Sequence, residues 1–182
     1  MTFCFPNKPI RIFTVDAVMG AIDQQTWVVQ PKWNGHRALP SCDIDGKVKV
    51  FNRQGSALAL AKSNFAWLSM LDLPRPWALD AELLRDGRMI VWDFSTLGGN
   101  LRIREPYENR LKELQALLPR KISKDRFSIE MIETLPVTKY RNYMLRRGEP
   151  ELEGFVLKNS QASDLWGPYS TSENASQFKL RF

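Results

Sequence analysis

The sequence is poor in the residues from which many catalytic sites are built. Its 182 residues include one histidine, His36, and two cysteines, Cys4 and Cys42. A single histidine excludes a mechanism that needs a histidine pair or a His-rich metal site, and it disfavours a Ser-His-Asp triad. The two cysteines form no zinc pattern and no disulfide framework. We therefore expect a reducing compartment, by default the cytoplasm.

Long hydrophobic runs are also missing. No stretch approaches the roughly 18 consecutive apolar residues of a membrane-spanning helix, and the N-terminus has no apolar core of the signal-peptide kind. We find no internal repeat and no low-complexity block. The length suits a single domain spanning residues 1–182, with residues 1–25 as an N-terminal extension that carries no motif. We expect a monomer without a membrane partner.

Acidic residues are fewer than basic ones. The 26 lysines and arginines outnumber the 20 aspartates and glutamates, so the net charge is +6 and the calculated isoelectric point is about 9.5. This balance favours an anionic partner such as a nucleotide or a nucleic acid, although composition alone does not say which.

The local patterns predict more strands than helices. Asp45-Gly46 and Asp86-Gly87 are turn signals, each between two strand-like runs, and they predict two antiparallel hairpins. The paired runs are 36–40 with 47–53 and 77–84 with 88–94, and further strands are predicted at 26–31 (ended by Pro31), 126–133, 153–158 and 176–182.

Three segments have the apolar spacing or the boundary signals of helices. They are 56–72, 105–118 with Pro106 in the first helical position, and 138–147 ended by Gly148. In the second, Leu111, Leu114 and Leu118 share one face. Together these elements predict an α+β fold of mostly antiparallel sheets flanked by helices.

Five short strings occur in a fixed order: PKWNGHR (31–37), FNRQG (51–55), LDAELL (79–84), EGFVLK (153–158) and FKLRF (178–182). The set resembles the nucleotidyltransferase domain of ATP-dependent polynucleotide ligases, whose superfamily includes RNA ligases and mRNA capping enzymes. The first string resembles the family's K-x-D-G-x-R motif, and EGFVLK fits E-G-x-V-x-K at every position. The resemblance covers about residues 26 to 182. It implies the ATP-grasp-like nucleotidyltransferase fold, here without an OB domain.

The resemblance implies that Lys32 is a nucleophile. Lys32 would attack the α-phosphate of ATP, release pyrophosphate and carry a covalent AMP adduct. Lys158 and Lys179 would neutralise the α-phosphate in the transition state. An amine attacks only when it is unprotonated, and nearby cations favour that form. On its own string, Lys32 could equally be a solvated lysine at the end of a strand.

The remaining motif positions would bind the nucleotide. By resemblance, arginines contact ribose and phosphates, Glu82 accepts from a ribose hydroxyl, Trp92 stacks on adenine, and Gln30 reads the base edge. Glu153, together with Glu82, would hold Mg²⁺ or Mn²⁺, since hard cations prefer carboxylate oxygens. The predicted nucleotide-binding set is Gln30, Arg37, Arg53, Glu82, Trp92, Glu153 and Arg181.

Two positions depart from the family pattern. Asn34 stands where the first motif has aspartate, so it supplies no anion to hold Lys32 protonated, and Asn34-Gly35 is also a plain turn signal. Gln30 stands where such ligases often have a glutamate that reads the adenine amino group. A glutamine oxygen can accept from that amine, but its NH₂ can equally donate to a guanine carbonyl. Base choice is therefore left open.

The motif set and the basic charge lead to one hypothesis with two rivals. We expect an ATP-dependent DNA ligase that acts on nicked duplex DNA, with RNA as a possible substrate. The rivals are an RNA ligase or guanylyltransferase of the same superfamily, and a catalytically weak nucleic-acid-binding module. Most such ligases continue into an OB-type domain, whereas this sequence stops at the closing basic strand. We expect either a domain cut out of a longer protein or a single-domain enzyme, and a separate chain could supply the OB-type domain.

Overall fold

Fourteen strands appear in the computed structural model, which describes residues 5–58, 65–118, 121–124, 127–163, 166–167 and 173–182. In chain order they are β1 (Phe5–Pro6), β2 (Lys8–Arg11), β3 (Trp27–Trp33), β4 (His36–Cys42), β5 (Val48–Phe51), β6 (Trp77–Leu83), β7 (Arg88–Leu97), β8 (Asn100–Leu101), β9 (Lys121–Lys124), β10 (Phe127–Met131), β11 (Leu135–Pro136), β12 (Leu152–Asn159), β13 (Trp166–Gly167) and β14 (Glu173–Arg181).

The helices are short, apart from one. They are α1 (Asp16–Met19), α2 (Tyr107–Leu117) and α3 (Arg141–Leu145), with 3₁₀ segments at Ala66–Met70 and Val137–Lys139. Among the residues that the structure describes, no helix is long and apolar enough to cross a membrane.

One sheet of seven strands contains both predicted hairpins. Its order is β5-β4-β6-β7-β10-β9, and β8 pairs with β7. All neighbours are antiparallel except β7 and β10. The hairpin predictions are confirmed, and Gly46 and Gly87 have the positive φ angles, 83° and 92°, that these turns require.

The second sheet has five strands in the order β11-β3-β12-β14-β2. Its pairs are antiparallel except for β2 with β14. The N-terminal region therefore contributes a strand to this sheet, and Ile12, Val15 and Val18 are buried in its core. A separate two-stranded pair joins β1 to β13. The predicted α+β class with mostly antiparallel sheets is confirmed.

Each sheet has its own apolar core. Leu114 and Leu118 pack into the cluster on the seven-stranded sheet, whereas Leu111 lies in a smaller cluster with Tyr107 and Trp166. The predicted apolar face of α2 is buried. Its first helical residue is Tyr107, however, so Pro106 is the cap residue and not the first residue of the helix.

Three other local predictions are wrong. The helix predicted at 56–72 is not formed where the structure describes it: Ala57 bridges to Phe51 and only Ala66–Met70 forms a 3₁₀ turn, while 59–64 lie outside the described residues. The apolar spacing there reflects packing onto the sheet, in which the adjacent Trp67 and Leu68 are both buried. The helix predicted at 138–147 is split into a 3₁₀ turn and α3, and it ends before Gly148.

The third concerns Pro31, which was predicted to end a strand and instead lies inside β3. Pro31 is paired with Phe155 on one side. On its other side β11 pairs only with Val28 and Val29. The strand is therefore an edge at Pro31, where a missing backbone N–H is tolerated.

Candidate active site

All ten residues predicted from the motifs line one cavity of about 330 Å³. The walls come from both sheets: β3, β12 and β14 on one side, and β4, β6 and β7 on the other. The ten are Gln30, Lys32, Arg37, Arg53, Glu82, Trp92, Glu153, Lys158, Lys179 and Arg181. Residues as far apart in sequence as 30 and 181 thus meet in one place.

Lys32 lies opposite the EGFVLK strand. The register pairs Lys32 with Gly154, and the Lys32 ammonium forms an ion pair with the Glu153 carboxylate. Arg181 Nε lies 3.2 Å from the other oxygen of Glu153. Asn34 supplies no anion to Lys32, and the carboxylate that pairs with the lysine is that of Glu153. Glu153 bridges two cations, and Lys32 and Glu153 remain about a fifth exposed, at 19% and 23%.

Two motif glycines allow the backbones to approach closely. A Cβ on Gly35 would lie 2.5 Å from the Leu83 carbonyl oxygen, and one on Gly154 would lie 1.9 Å from the Leu180 carbonyl oxygen. Gly154 also has a φ of 148°, a conformation that other residues rarely adopt. The Gly154 contact allows β12 to lie close to β14 beside Glu153, and the Gly35 contact allows the turn between β3 and β4 to lie close to the end of β6.

Arg37 and Trp92 form a compact unit around Asp80. Arg37 donates two hydrogen bonds to the Asp80 carboxylate, and Trp92 Nε1 donates a third at 2.9 Å. The guanidinium carbon of Arg37 lies 4.7 Å from the centroid of the Trp92 ring, so Arg37 lies over one face of that ring. Burial raises the pKa of Asp80, and Arg37 opposes the shift.

Lys158 is the most deeply buried cation of the predicted set, with 6% exposure. Its ammonium lies 4.6 Å from the centroid of the Tyr107 ring. Burial lowers the pKa of Lys158 to about 8, although Asp93 and Asp80 act in the opposite direction. At neutral pH this lysine is therefore mostly protonated, although its pKa lies not far above that pH. It faces the cavity as a poorly hydrated cation.

Asp93 anchors a buried network behind Lys158. Arg110, which is fully buried, donates to both oxygens of Asp93 at 2.8 and 2.9 Å. Trp166 Nε1 donates to the same carboxylate at 3.0 Å. This network fixes the carboxylate that faces Lys158.

Solved structures of ligases share this arrangement of strands and helices. The ligase domain of M. tuberculosis LigD superposes with a TM-score of 0.70 at 18% identity, over 96% of this chain and 58% of that one. The ATP-dependent DNA ligase of bacteriophage T7, in complex with ATP, gives 0.61 at 13% identity, over 97% and 68%. An archaeal ATP-dependent RNA ligase gives 0.60 at 13%, over 97% and 48%.

The chain has a ligase-domain fold. The likeness is one of structure, since no family model and no curated protein matches the sequence. The chain spans 58% of the length of the LigD ligase domain. Within this ligase-domain fold, the predicted nucleotidyltransferase architecture is confirmed.

The carboxylates of the ligase-domain cavity suit a hard divalent cation. Mg²⁺ typically takes one or two carboxylates, several waters and the phosphates of its substrate. Glu153 supplies such a carboxylate beside Lys32. Glu82 keeps one oxygen available, because only its Oε1 accepts the Gly35 N–H, at 3.1 Å. Burial raises the pKa of Glu82, and Arg37 and Lys32 oppose part of that shift. The described ranges contain no group of three His, Cys, Asp or Glu that could hold a metal by themselves. Two carboxylates match the number that Mg²⁺ takes from a protein when substrate phosphates and water supply its other ligands.

Several residues of the cavity were not predicted from the sequence. Asp80 lies inside the LDAELL string and Asp93 directly follows Trp92, and an acidic residue in an apolar strand signals a buried pair. Tyr107 and Thr134 contact Gln30 but belong to no motif. Asn7, from the N-terminal extension, also lines the cavity.

Proposed function

We propose that this protein is an ATP-dependent DNA ligase that seals 5′-phosphate/3′-hydroxyl nicks through a lysyl-AMP intermediate. One observation carries the proposal: Lys32 stands in a cavity with the other nine motif residues. The cavity lies within a fold shared with ATP-dependent ligases. A lysine surrounded by cations and carboxylates is suited to attack a phosphate.

The first step is transfer of AMP to Lys32. Lys32 Nζ forms a bond to the α-phosphorus of ATP, and the bond from that phosphorus to the pyrophosphate oxygen breaks. Lys32 must lose a proton and its ion pair with Glu153 must open, because a protonated amine has no free electron pair; the proton passes to the Glu153 carboxylate and from there to solvent. Arg181 keeps Glu153 partnered when Lys32 leaves, which lowers the cost of opening.

The other side chains stabilise the charge that moves. Lys158 and Lys179 face the α-phosphate, Arg37 and Arg53 take ribose and phosphate oxygens, and Gln30 and Trp92 contact the base. Glu153, assisted by Glu82, holds the divalent ion, which supplies further neutralisation of phosphate charge. In the next steps AMP passes to a 5′-phosphate at the nick, and the 3′-hydroxyl displaces it.

Mass spectrometry after incubation with ATP and Mg²⁺ tests the proposal. We expect the wild-type protein to gain the mass of one adenylyl group on Lys32, and we expect Lys32→Ala to gain none. Lys139→Ala is a matched control, because it removes a surface lysine outside the cavity. If the wild type never acquires the adduct, the enzyme proposal fails.

An RNA ligase is the second candidate, favoured by the similarity to the archaeal RNA ligase structure. A DNA ligase and an RNA ligase both form the lysyl-AMP adduct, so the two candidates are distinguished by the nicked substrate that they seal. Nicked duplex DNA and nicked duplex RNA are offered to the adenylated protein. Faster sealing of the DNA nick supports the first proposal, and faster sealing of the RNA nick supports the second.

A further inference from the structure

Tyr107 is the hub of a buried hydrogen-bond relay beside the cavity. It is the first residue of α2 and is fully buried. Its backbone N–H donates to the Ala162 carbonyl at 2.9 Å. Its hydroxyl donates to the Trp92 carbonyl at 2.8 Å. The ring and its hydroxyl are therefore held from several sides.

Gln30, which is 1% exposed, lies at the other end of the relay. Gln30 Nε2 lies 2.6 Å from the Tyr107 hydroxyl and 2.8 Å from Thr134 Oγ1. The two amide hydrogens of Gln30 thus have one acceptor each. Its oxygen is the remaining polar atom of a side chain that lines the cavity.

The direction of the relay is fixed by simple counting of hydrogens. The Trp92 carbonyl can only accept, so the single hydroxyl hydrogen of Tyr107 is used there. Tyr107 can then only accept from Gln30, and the nitrogen of the amide must face it. The contact with Thr134 does not fix the orientation of the Gln30 amide, because a threonine hydroxyl can either donate or accept. Burial also raises the pKa of Tyr107 well above its ordinary value, so the hydroxyl keeps its proton.

We propose that Tyr107 is a positioning residue that sets the base preference of the cavity, by turning the Gln30 oxygen toward the nucleotide. An acceptor at that place pairs with the C6 amino group of adenine. It faces the C6 carbonyl of hypoxanthine or guanine as a second acceptor, which is unfavourable. This inference rests on the proposed function, and it resolves the two ways in which a free glutamine could read a base.

Equilibrium binding of AMP and IMP tests the inference without requiring catalysis. These nucleotides differ in the C6 group and in the N1 proton that accompanies it. We expect the wild type to bind AMP at least about tenfold more tightly than IMP, as for loss of one buried hydrogen bond. In Tyr107→Phe the amide is free to turn, and we expect the ratio to fall to about threefold or less.

Thr134→Val is the matched control, because it removes the other acceptor of the same amide. We expect it to keep the preference for AMP, since Tyr107 still orients Gln30. If Tyr107→Phe keeps the full preference, or if Thr134→Val loses as much of it, the inference is overturned while the proposed function stands. If the wild type binds neither nucleotide, the proposed function fails and the inference fails with it.

Amide exchange in the wild type provides a measurement that does not depend on how the variant folds. Both side-chain amide protons of Gln30 should exchange slowly with solvent in NMR spectra, because both are donated inside the protein. Rapid exchange of both protons contradicts a locked amide and overturns the inference.

Discussion

Two of the ion-pair networks that border the cavity differ strongly in burial. On one side Arg110 and Asp93 are 0% and 4% exposed, and two guanidinium nitrogens each donate to one oxygen of the carboxylate. On the other side Lys32, Glu153 and Arg181 are 19%, 23% and 53% exposed, and one carboxylate serves two cations. The buried pair cannot separate without leaving an unpaired charge in the interior. In the open, more exposed network, Glu153 keeps Arg181 as a partner when Lys32 moves away. We infer that the first maintains the site and the second carries out chemistry.

The largest effect on stability is expected when the cation of the buried network is removed. Arg110→Met leaves the Asp93 carboxylate without its hydrogen-bonded cation, and we expect it to lower the free energy of unfolding by about 3–5 kcal/mol. Urea denaturation measures this. Lys112→Met, on the same helix, is the control: Lys112 is 69% exposed and pairs with Glu108 at 3.2 Å, so its loss should cost about 0.5 kcal/mol or less. Equal effects of the two variants contradict the assignment.

The open network depends on the backbone beneath it. In Gly154→Ala the new methyl group would collide with the Leu180 carbonyl, so β12 and β14 must separate. We expect a loss of about 3 kcal/mol in unfolding free energy. Gly148→Ala is the control, because Gly148 also has a positive φ, 101°, but nothing lies within 4 Å of its Cβ position. It should cost only the backbone strain, about 1–2 kcal/mol. A smaller loss at 154 than at 148 is the contrary result.

The pH dependence of stability tests the burial of the Lys158 ammonium. Its pKa is lowered to about 8, so between pH 8 and the ordinary lysine range the unfolded chain binds more protons than the folded one. Its contribution to stability therefore rises with pH, by about 1.5 kcal/mol between pH 8 and pH 9.5. The measurement is the difference between wild type and Lys158→Met in urea denaturation across that range. A difference that is flat with pH contradicts the shift.

The smallest effect on stability is expected at the nucleophile. Lys32→Met leaves Glu153 paired with Arg181, so we expect the free energy of unfolding to change by less than about 1 kcal/mol. The same variant should form no AMP adduct in the mass measurement. A loss of stability as large as that of Arg110→Met would mean that the open network is structural as well.

The sequence was most informative where a motif carries several residues at fixed spacing. Eight of the ten predicted cavity residues lie in the five strings, Gln30 and Trp92 were placed by the same resemblance, and the Asp-Gly turns predicted both hairpins. Tyr107, Thr134 and Arg110 were missed because their partners lie 77, 104 and 17 residues away, and no local pattern records such a pairing. The helix predicted at 56–72 failed for a related reason: apolar spacing reports burial, and here a sheet supplied the surface.

The parallel pairing of β2 with β14 dictates when the cavity can form during protein synthesis. Lys8–Arg11 pairs with residues of β14 between Glu173 and Lys179, and β14 also carries Arg181. A ribosome must therefore release almost all of the described chain before this sheet can close. Until then β12 exposes an unpaired edge, the kind of surface on which partly folded chains associate. Folding of the cavity is thus a late event that follows translation of its last strand.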